Sequence, residues 1–272
     1  MASTELDLPA ASRAAPVRWR LPGGTGWRLV SPLALLALWQ LASSTGLLPE
    51  RLLAAPSAVA ATALDLVSSG TLPEALAVSL GRVAAGCSVG AVAGVGLALV
   101  AGLSRAGEYA VDPPMQMLRA LPLFGLIPLF ILWFGIGETP KVTLLALGVA
   151  FPLYLNTFAG IRGVDAKLAE VADVLRLSRG ELIRHVVLPG ALPQVLVGLR
   201  QSLGVGWLVL IVAEQVNADS GLGYMINDAR EFLRTDVIVV GLLVYCALGL
   251  VTDWLVRLLE RRALAWRRGL LG

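Results

Sequence analysis

Charged residues in this chain fall mostly between long apolar runs, and one stretch breaks that rhythm. Leu29–Pro49 is uncharged between Arg28 and Glu50, and Val83–Ser104 is uncharged between Arg82 and Arg105. Ala120–Gly137 and Val142–Ile161 follow, bounded by Arg119 and Glu138 and by Lys141 and Arg162. Pro189–Val216 is interrupted by Arg200 and carries Glu214 near its end; Val237–Thr252 lies between Asp236 and Asp253. A bilayer-crossing helix needs roughly 20 apolar residues, fewer when charged ends snorkel, so the pattern predicts an all-α polytopic membrane protein with about six transmembrane helices. The helix of the second run should begin earlier, near Glu74. The transmembrane region extends over 28–260, with a cytoplasmic loop at 162–190.

That loop is amphipathic, reading VDAKLAEVADVLRLSRGELIRHVVLPG from Val164 to Gly190. Asp165 is placed to cap a helix that runs to about Leu175. Ser178-Arg-Gly-Glu181 fits a capping box, and Leu182, Ile183, Val186 and Val187 form the apolar face of a second helix. Pro189 and Pro193 mark entry into the fifth span. The expectation is helix, tight turn, helix, lying across the membrane. Elsewhere, Asp112 before Pro113-Pro114 and Thr139 before Pro140 read as helix starts. Pro56–Ser69 and Tyr224–Leu233 read as short outer helices, the latter after a break at Ser220–Gly223. Residues 1–27 read as a disordered cytoplasmic tail and 261–272 as a second cytoplasmic tail. Glu5, Asp7 and the length of the following apolar run favour a retained anchor over a cleaved signal.

Composition supports the membrane class: 57% of the 272 residues are hydrophobic and 15% charged, against about a quarter charged in soluble domains. The mean hydropathy is +0.76. The net charge of +3 is spread beside apolar runs, which speaks against a nucleic-acid surface. Cys87 and Cys246 both lie within apolar runs, so free thiols are expected. His185 is the only histidine, and no nucleophile-and-base set or pair of acids at depth suggests an enzyme. No cofactor is expected in this chain. Arg51, Lys141, Arg230 and Arg234 fall on one side of the predicted membrane and Arg82 and Arg200 within spans. The other sixteen of the 22 basic residues fall on the opposite side, which places both termini and the long loop in the cytoplasm.

The loop resembles the EAA signature of permease subunits in ATP-binding-cassette importers: Glu-Ala-Ala, three residues, Gly, nine residues, Ile, any residue, Leu-Pro. Here it stands as Glu170-Val171-Ala172, Arg176 at the glycine position, Val186, and Leu188-Pro189. Arg176 departs most: glycine would allow a left-handed turn, where arginine must turn differently or tolerate strain. The blocks RALPLFGLIPLFILWFGIGETPK, FPLYLNTFAGIRGVD, LPGALPQVLVGLRQSLGVGWLVLIVAEQ and GLGYMINDAREFLRTD resemble the sulfonate, taurine and nitrate branch of these permeases.

The resemblance implies a type I importer fold in a bacterial inner membrane, with two permease copies forming the pore. It also implies two cytoplasmic ATPases that dock on the loops and consume ATP and Mg, and an extracytoplasmic substrate-binding protein. The chain has no Gly-Lys-Ser/Thr phosphate loop of its own, since Lys141 and Lys167 follow Pro140 and Ala166. Glu170, Ala172, Arg176, Leu182, Val186, Leu188 and Pro189 are the candidate coupling residues, and Glu170, Leu182 and Val186 the main ones for docking. Arg82 and Arg200, each roughly ten residues into a span, either line the passage for an anion or form structural pairs, for instance with Glu214. An ion-coupled secondary carrier is the competing class, with Glu214 as its only qualifying intramembrane acid.

Overall fold

The computed structural model describes residues 25–266. Its helices are α1 (Thr25–Ser44), α2 (Pro56–Ser68), α3 (Thr71–Leu103), α4 (Arg105–Arg119), α5 (Ile127–Phe134), α6 (Glu138–Arg162), α7 (Ala166–Val174), α8 (Arg179–Leu182), α9 (Leu188–Asn217), α10 (Leu222–Glu231) and α11 (Thr235–Ala263). A 3₁₀ turn precedes α5, and a π-helical segment, Ile183–Val187, joins α8 to α9. The expected tails lie largely outside the described residues: 1–24 and 267–272 are not described, and α1 begins at Thr25.

Among the described residues, four helices are long and apolar enough to cross a membrane: Thr71–Leu103, Glu138–Arg162, Arg179–Val216 and Thr235–Ala263. With a bent pair, Arg105–Arg119 and Leu123–Phe134, counted as one span, the described residues hold up to five, against the expected six or so. The predicted span Ala120–Gly137 is not one helix. Leu123–Phe134 meets α4 at 93°, and the two count as one broken span or a re-entrant loop. Pro122 has no N–H to continue a helix and disfavours helical geometry at Leu121, so α4 stops at Arg119. The first predicted span corresponds to α1, 20 residues from Thr25 to Ser44, whose apolar part is Val30–Ser44.

Two expected helix starts are displaced: α6 begins at Glu138 after Gly137, with no side-chain cap, and not at Thr139. Helix α4 starts at Ser104, whose hydroxyl accepts from the Gly107 amide at 3.0 Å, and not at Asp112. Asp112 lies mid-helix and accepts from the Tyr154 hydroxyl at 3.0 Å, while Pro113 and Pro114 sit inside the helix. A tertiary partner, absent from local sequence, holds that Asp-Pro-Pro step helical. The short helices α2 and α10 lie where apolar spacing and the Ser220–Gly223 break predicted them.

The bundle centre is α6, sandwiched between α3 and α9. Small residues make this possible. Gly86, Gly90, Gly94, Ala98 and Gly102 recur every fourth residue of α3, so they share the face turned to α6. A Cβ at Gly90 would lie 2.4 Å from the Ala146 carbonyl oxygen, and one at Gly94 2.7 Å from that of Ala150. On the other side of α6 the fully buried Ser202 hydroxyl of α9 donates to the Val149 carbonyl at 2.7 Å. Backbone approaches backbone, which is how helices gain dispersion energy in lipid. Gly90→Ala should therefore cost about 1–3 kcal/mol through overpacking. Its melting midpoint in detergent should fall, whereas that of Gly96→Ala, where a Cβ meets nothing within 4 Å, should not.

Candidate functional site

Two loci stand at opposite ends of the long helix that runs from Arg179 to Val216. At the first, the loop folds much as its capping residues dictate. Asp165 accepts from the Lys167 amide at 3.0 Å and starts α7. Ser178 and Glu181 form the reciprocal capping box that starts α8. Between them Arg176 adopts φ 53°, the left-handed conformation that glycine takes without penalty. Its amide donates to the Asp173 carbonyl and that of Leu177 to the Ala172 carbonyl, both at 3.0 Å. This is a Schellman turn with arginine at the glycine position. Of the two outcomes open to arginine there, the left-handed turn is the one adopted.

The second half of the loop differs from expectation. It is not a separate helix ending before Pro189, because α8, the π segment and α9 are continuous. Pro189 lacks an N–H and its ring would crowd the carbonyl four residues back. The wide turn at Ile183–Val187, closed by the Leu188 amide on the Ile183 carbonyl, accommodates it without a break.

The loop's residues divide by exposure. Ala172 is buried and Leu182, Val186 and Pro189 are half-buried, whereas Glu170, Arg176 and Leu188 are exposed. Sequence reasoning missed the largest apolar surface here: Leu168, Val171, Val174 and Leu175 all project from α7, Val174 at 83% exposure. The signal was present as i, i+3, i+7 spacing of Leu168, Val171 and Leu175. Arg179 holds the loop to the bundle by donating to the Leu103 carbonyl at the end of α3, at 3.1 Å.

At the far end, Arg82 of α3 and Glu214 of α9 meet in a buried cluster. Arg82 is 4% exposed and Glu214 fully buried. Arg82 grips Glu138 of α6 with two parallel bonds of 2.7 Å, from Nε and Nη2. Nη1 donates to Glu214 and to the Ser220 carbonyl, each at 2.7 Å, and Nη2 also reaches the Ser220 hydroxyl at 3.3 Å. All five guanidinium donors are thus engaged. Glu214 further accepts from Ser79 at 2.8 Å, the Gly223 amide at 2.8 Å and the Tyr245 hydroxyl of α11 at 3.1 Å. Lys141 completes the group at 3.0 Å from Glu138. Two cations face two carboxylates, so the cluster is neutral.

Arg200 does not join this cluster. It pairs with Glu260 and, at 3.3 Å without hydrogen-bond alignment, with Asp253 of α11. Among the described residues no group of three or more His, Cys, Asp or Glu could hold a metal.

Removing one member of a buried ion pair leaves the other uncompensated, at about 3–5 kcal/mol. Glu214→Gln should thus lower thermal stability in detergent sharply, because the amide also turns an N–H toward the Gly223 N–H or the Arg82 guanidinium. At the loop, Arg176→Gly should stabilise the turn by up to about 1 kcal/mol, the left-handed penalty less glycine's extra backbone entropy. Slower amide exchange over residues 172–178 would report it, and Arg176→Ala should show no such gain.

Residues 90–264 match the family model described as binding-protein-dependent transport system inner membrane component. The chain is 48% identical to a protein of Escherichia coli (strain K12) named as an aliphatic sulfonates transport permease, SsuC, over 93% of this chain and 95% of that one. It is 33% identical to the taurine transport system permease protein TauC of the same organism, over 94% of each. Among solved structures, a crystal structure of an amino acid ABC transporter with histidines superposes with TM-score 0.62 at 21% identity, covering 73% of this chain and 97% of that one, a likeness of fold. With an all-helical bundle, a capped loop and these matches in hand, the chain belongs to the binding-protein-dependent transport system inner membrane components, as an integral permease subunit of an ABC importer and not an enzyme.

Proposed function

We propose that this permease imports aliphatic sulfonates or closely related small organic oxyanions such as taurine, with two copies of the chain forming the pore in a lipid bilayer. The names of the relatives support that substrate class. In this reading both termini and α7 face the cytoplasm, consistent with the excess of basic residues on that side. A partner ATPase binds the loop and consumes ATP and Mg, and a substrate-binding protein delivers solute from outside.

The observation that carries the coupling role is the exposed apolar face of α7, anchored by buried Ala172 and flanked by exposed Glu170. Leu168, Val171, Val174 and Leu175 are left exposed among the described residues, on a segment otherwise rich in charge. A nucleotide-driven partner seated there would displace α7, and the Schellman turn and capping box would pass that displacement to the helix running from Arg179. The two states so biased belong to one ensemble, and the partner supplies the difference in free energy. Arg176, Leu182, Val186, Leu188 and Pro189 shape and support this elbow rather than forming its outer face.

The test is uptake into vesicles reconstituted with the permease, its ATPase and its binding protein. Alkanesulfonate should enter only with ATP and binding protein present. Val171→Asp with Val174→Asp should abolish ATPase association and cut uptake at least tenfold while the permease still inserts. Full-rate downhill or proton-driven transport by the permease alone would overturn the reading.

A further inference from the structure

Helix α9 carries an exposed line of residues along the edge where it borders α6: Gln194, Val197, Gln201, Gly204 and Leu208, alternately three and four residues apart. That spacing is the one by which a helix seam meets another helix. Two amides on such a line are out of place against lipid, where no water satisfies them. Gln201 opens onto a groove of about 750 Å³ whose lining also includes Pro152, Gly204, Leu208, Tyr245 and Cys246.

Hydrogen-bond direction fixes what Gln201 offers that groove. The Pro152 carbonyl can only accept, so Asn156 must present its amide nitrogen there, at 2.8 Å. The other N–H of the same nitrogen then goes to the Gln201 side-chain oxygen at 2.9 Å. Gln201 is thereby oriented with its oxygen taken, and its two N–H donors have no partner among the described residues. A relay that begins at a backbone carbonyl ends in a fixed pair of donors on a membrane helix.

We propose that Gln201, oriented by Asn156, contacts the solute within the passage and binds an oxyanion such as a sulfonate through its two amide N–H groups. Asn156 is a positioning residue. This rests on the importer reading and adds the residue and its donor chemistry. Arg82, with every donor engaged, does not serve that role, and Arg200 is held by α11 acids.

Two measurements on the assembled transporter test it. Gln201→Glu keeps the side chain's shape but replaces donors by a negative charge. Ethanesulfonate uptake should fall more than tenfold while ATPase activity stimulated by the binding protein persists. Separately, Gln201→Cys, in a chain with Cys87→Ser and Cys246→Ser, should react with an anionic, membrane-impermeant methanethiosulfonate, and excess ethanesulfonate should slow that reaction. Val92→Cys, on the exposed face of α3, should stay inert. Wild-type uptake by Gln201→Glu, or a cysteine at 201 as unreactive as one at 92, overturns the proposal and leaves the importer reading standing. Lack of ATP-dependent uptake by the parent complex overturns both and is read before any variant is made.

Discussion

A guanidinium carried into the apolar body of the bundle dictates much of this fold. Arg82 cannot sit unpaired in a low-dielectric interior, and its acceptors come from widely separated parts of the chain: Glu138, Glu214 and Ser220. Those acceptors are fixed in turn, Glu138 by Lys141, and Glu214 by Ser79, Tyr245 and the Gly223 amide. Five helices, α3, α6, α9, α10 and α11, thus close on one neutral knot. The knot also explains the Gly-Leu-Gly sequence at the start of α10. Gly221 holds φ 104° and a Cβ there would lie 2.5 Å from a Glu214 oxygen, while one at Gly223 would lie 2.6 Å from the Glu214 Cβ. No side chain fits where the chain must pass.

The knot and the loop are linked by a single element. Glu214 belongs to the same continuous helix that begins at Arg179, about 50 Å away at 1.5 Å per residue. That helix is clamped along its length to α6, where Gly198 approaches the Leu153 backbone and Ser202 bonds to the Val149 carbonyl. Close-packed helices of this kind shift as bodies rather than bend, since interiors are dense and have few voids to absorb strain. In the coupling proposed above, this helix is the element along which a push at the loop would reach the knot.

Most of the fold was legible because lipid allows few solutions: apolar runs bounded by charge can only be helices. The caps at Asp165 and Ser178 were readable from local chemistry. What escaped were features fixed by partners distant in sequence. Asp112 looked like a helix start because nothing local reveals the Tyr154 hydroxyl that holds it mid-helix. The break at Pro122 was masked by the apolar residues around it, which satisfy any hydropathy window. Pro189 looked like a terminus because a π turn that absorbs a proline leaves no composition signature. At the candidate sites, a structural pair with Glu214 is legible for the intramembrane arginines and Arg82 forms it, whereas the placement of Arg200 on Asp253 and Glu260 depends on the packing of α9 against α11. The α7 surface was spelled out by its spacing and was overlooked in favour of the half-buried Leu182 and Val186.

The elbow between α7 and α8 shows why the motif position can hold arginine. A left-handed residue other than glycine costs roughly 1–2 kcal/mol, so it persists only where its surroundings over-determine it. Here the Schellman bonds fix the near side, the capping box fixes the far side, and Ala172 is buried beneath. Each of these constraints removes a way for the turn to relax. The same logic recurs at Leu233, at φ 56°, between α10 and α11, where the Leu233 amide meets the Arg230 carbonyl and the Arg234 amide that of Ala229. Both junctions join a short helix to a long span, and both place a strained residue inside a closed set of hydrogen bonds. A junction built that way transmits displacement instead of dissipating it. Stiffness at the turn and stiffness along α9 are thus two expressions of one demand, that no slack lie between the loop and the buried charges.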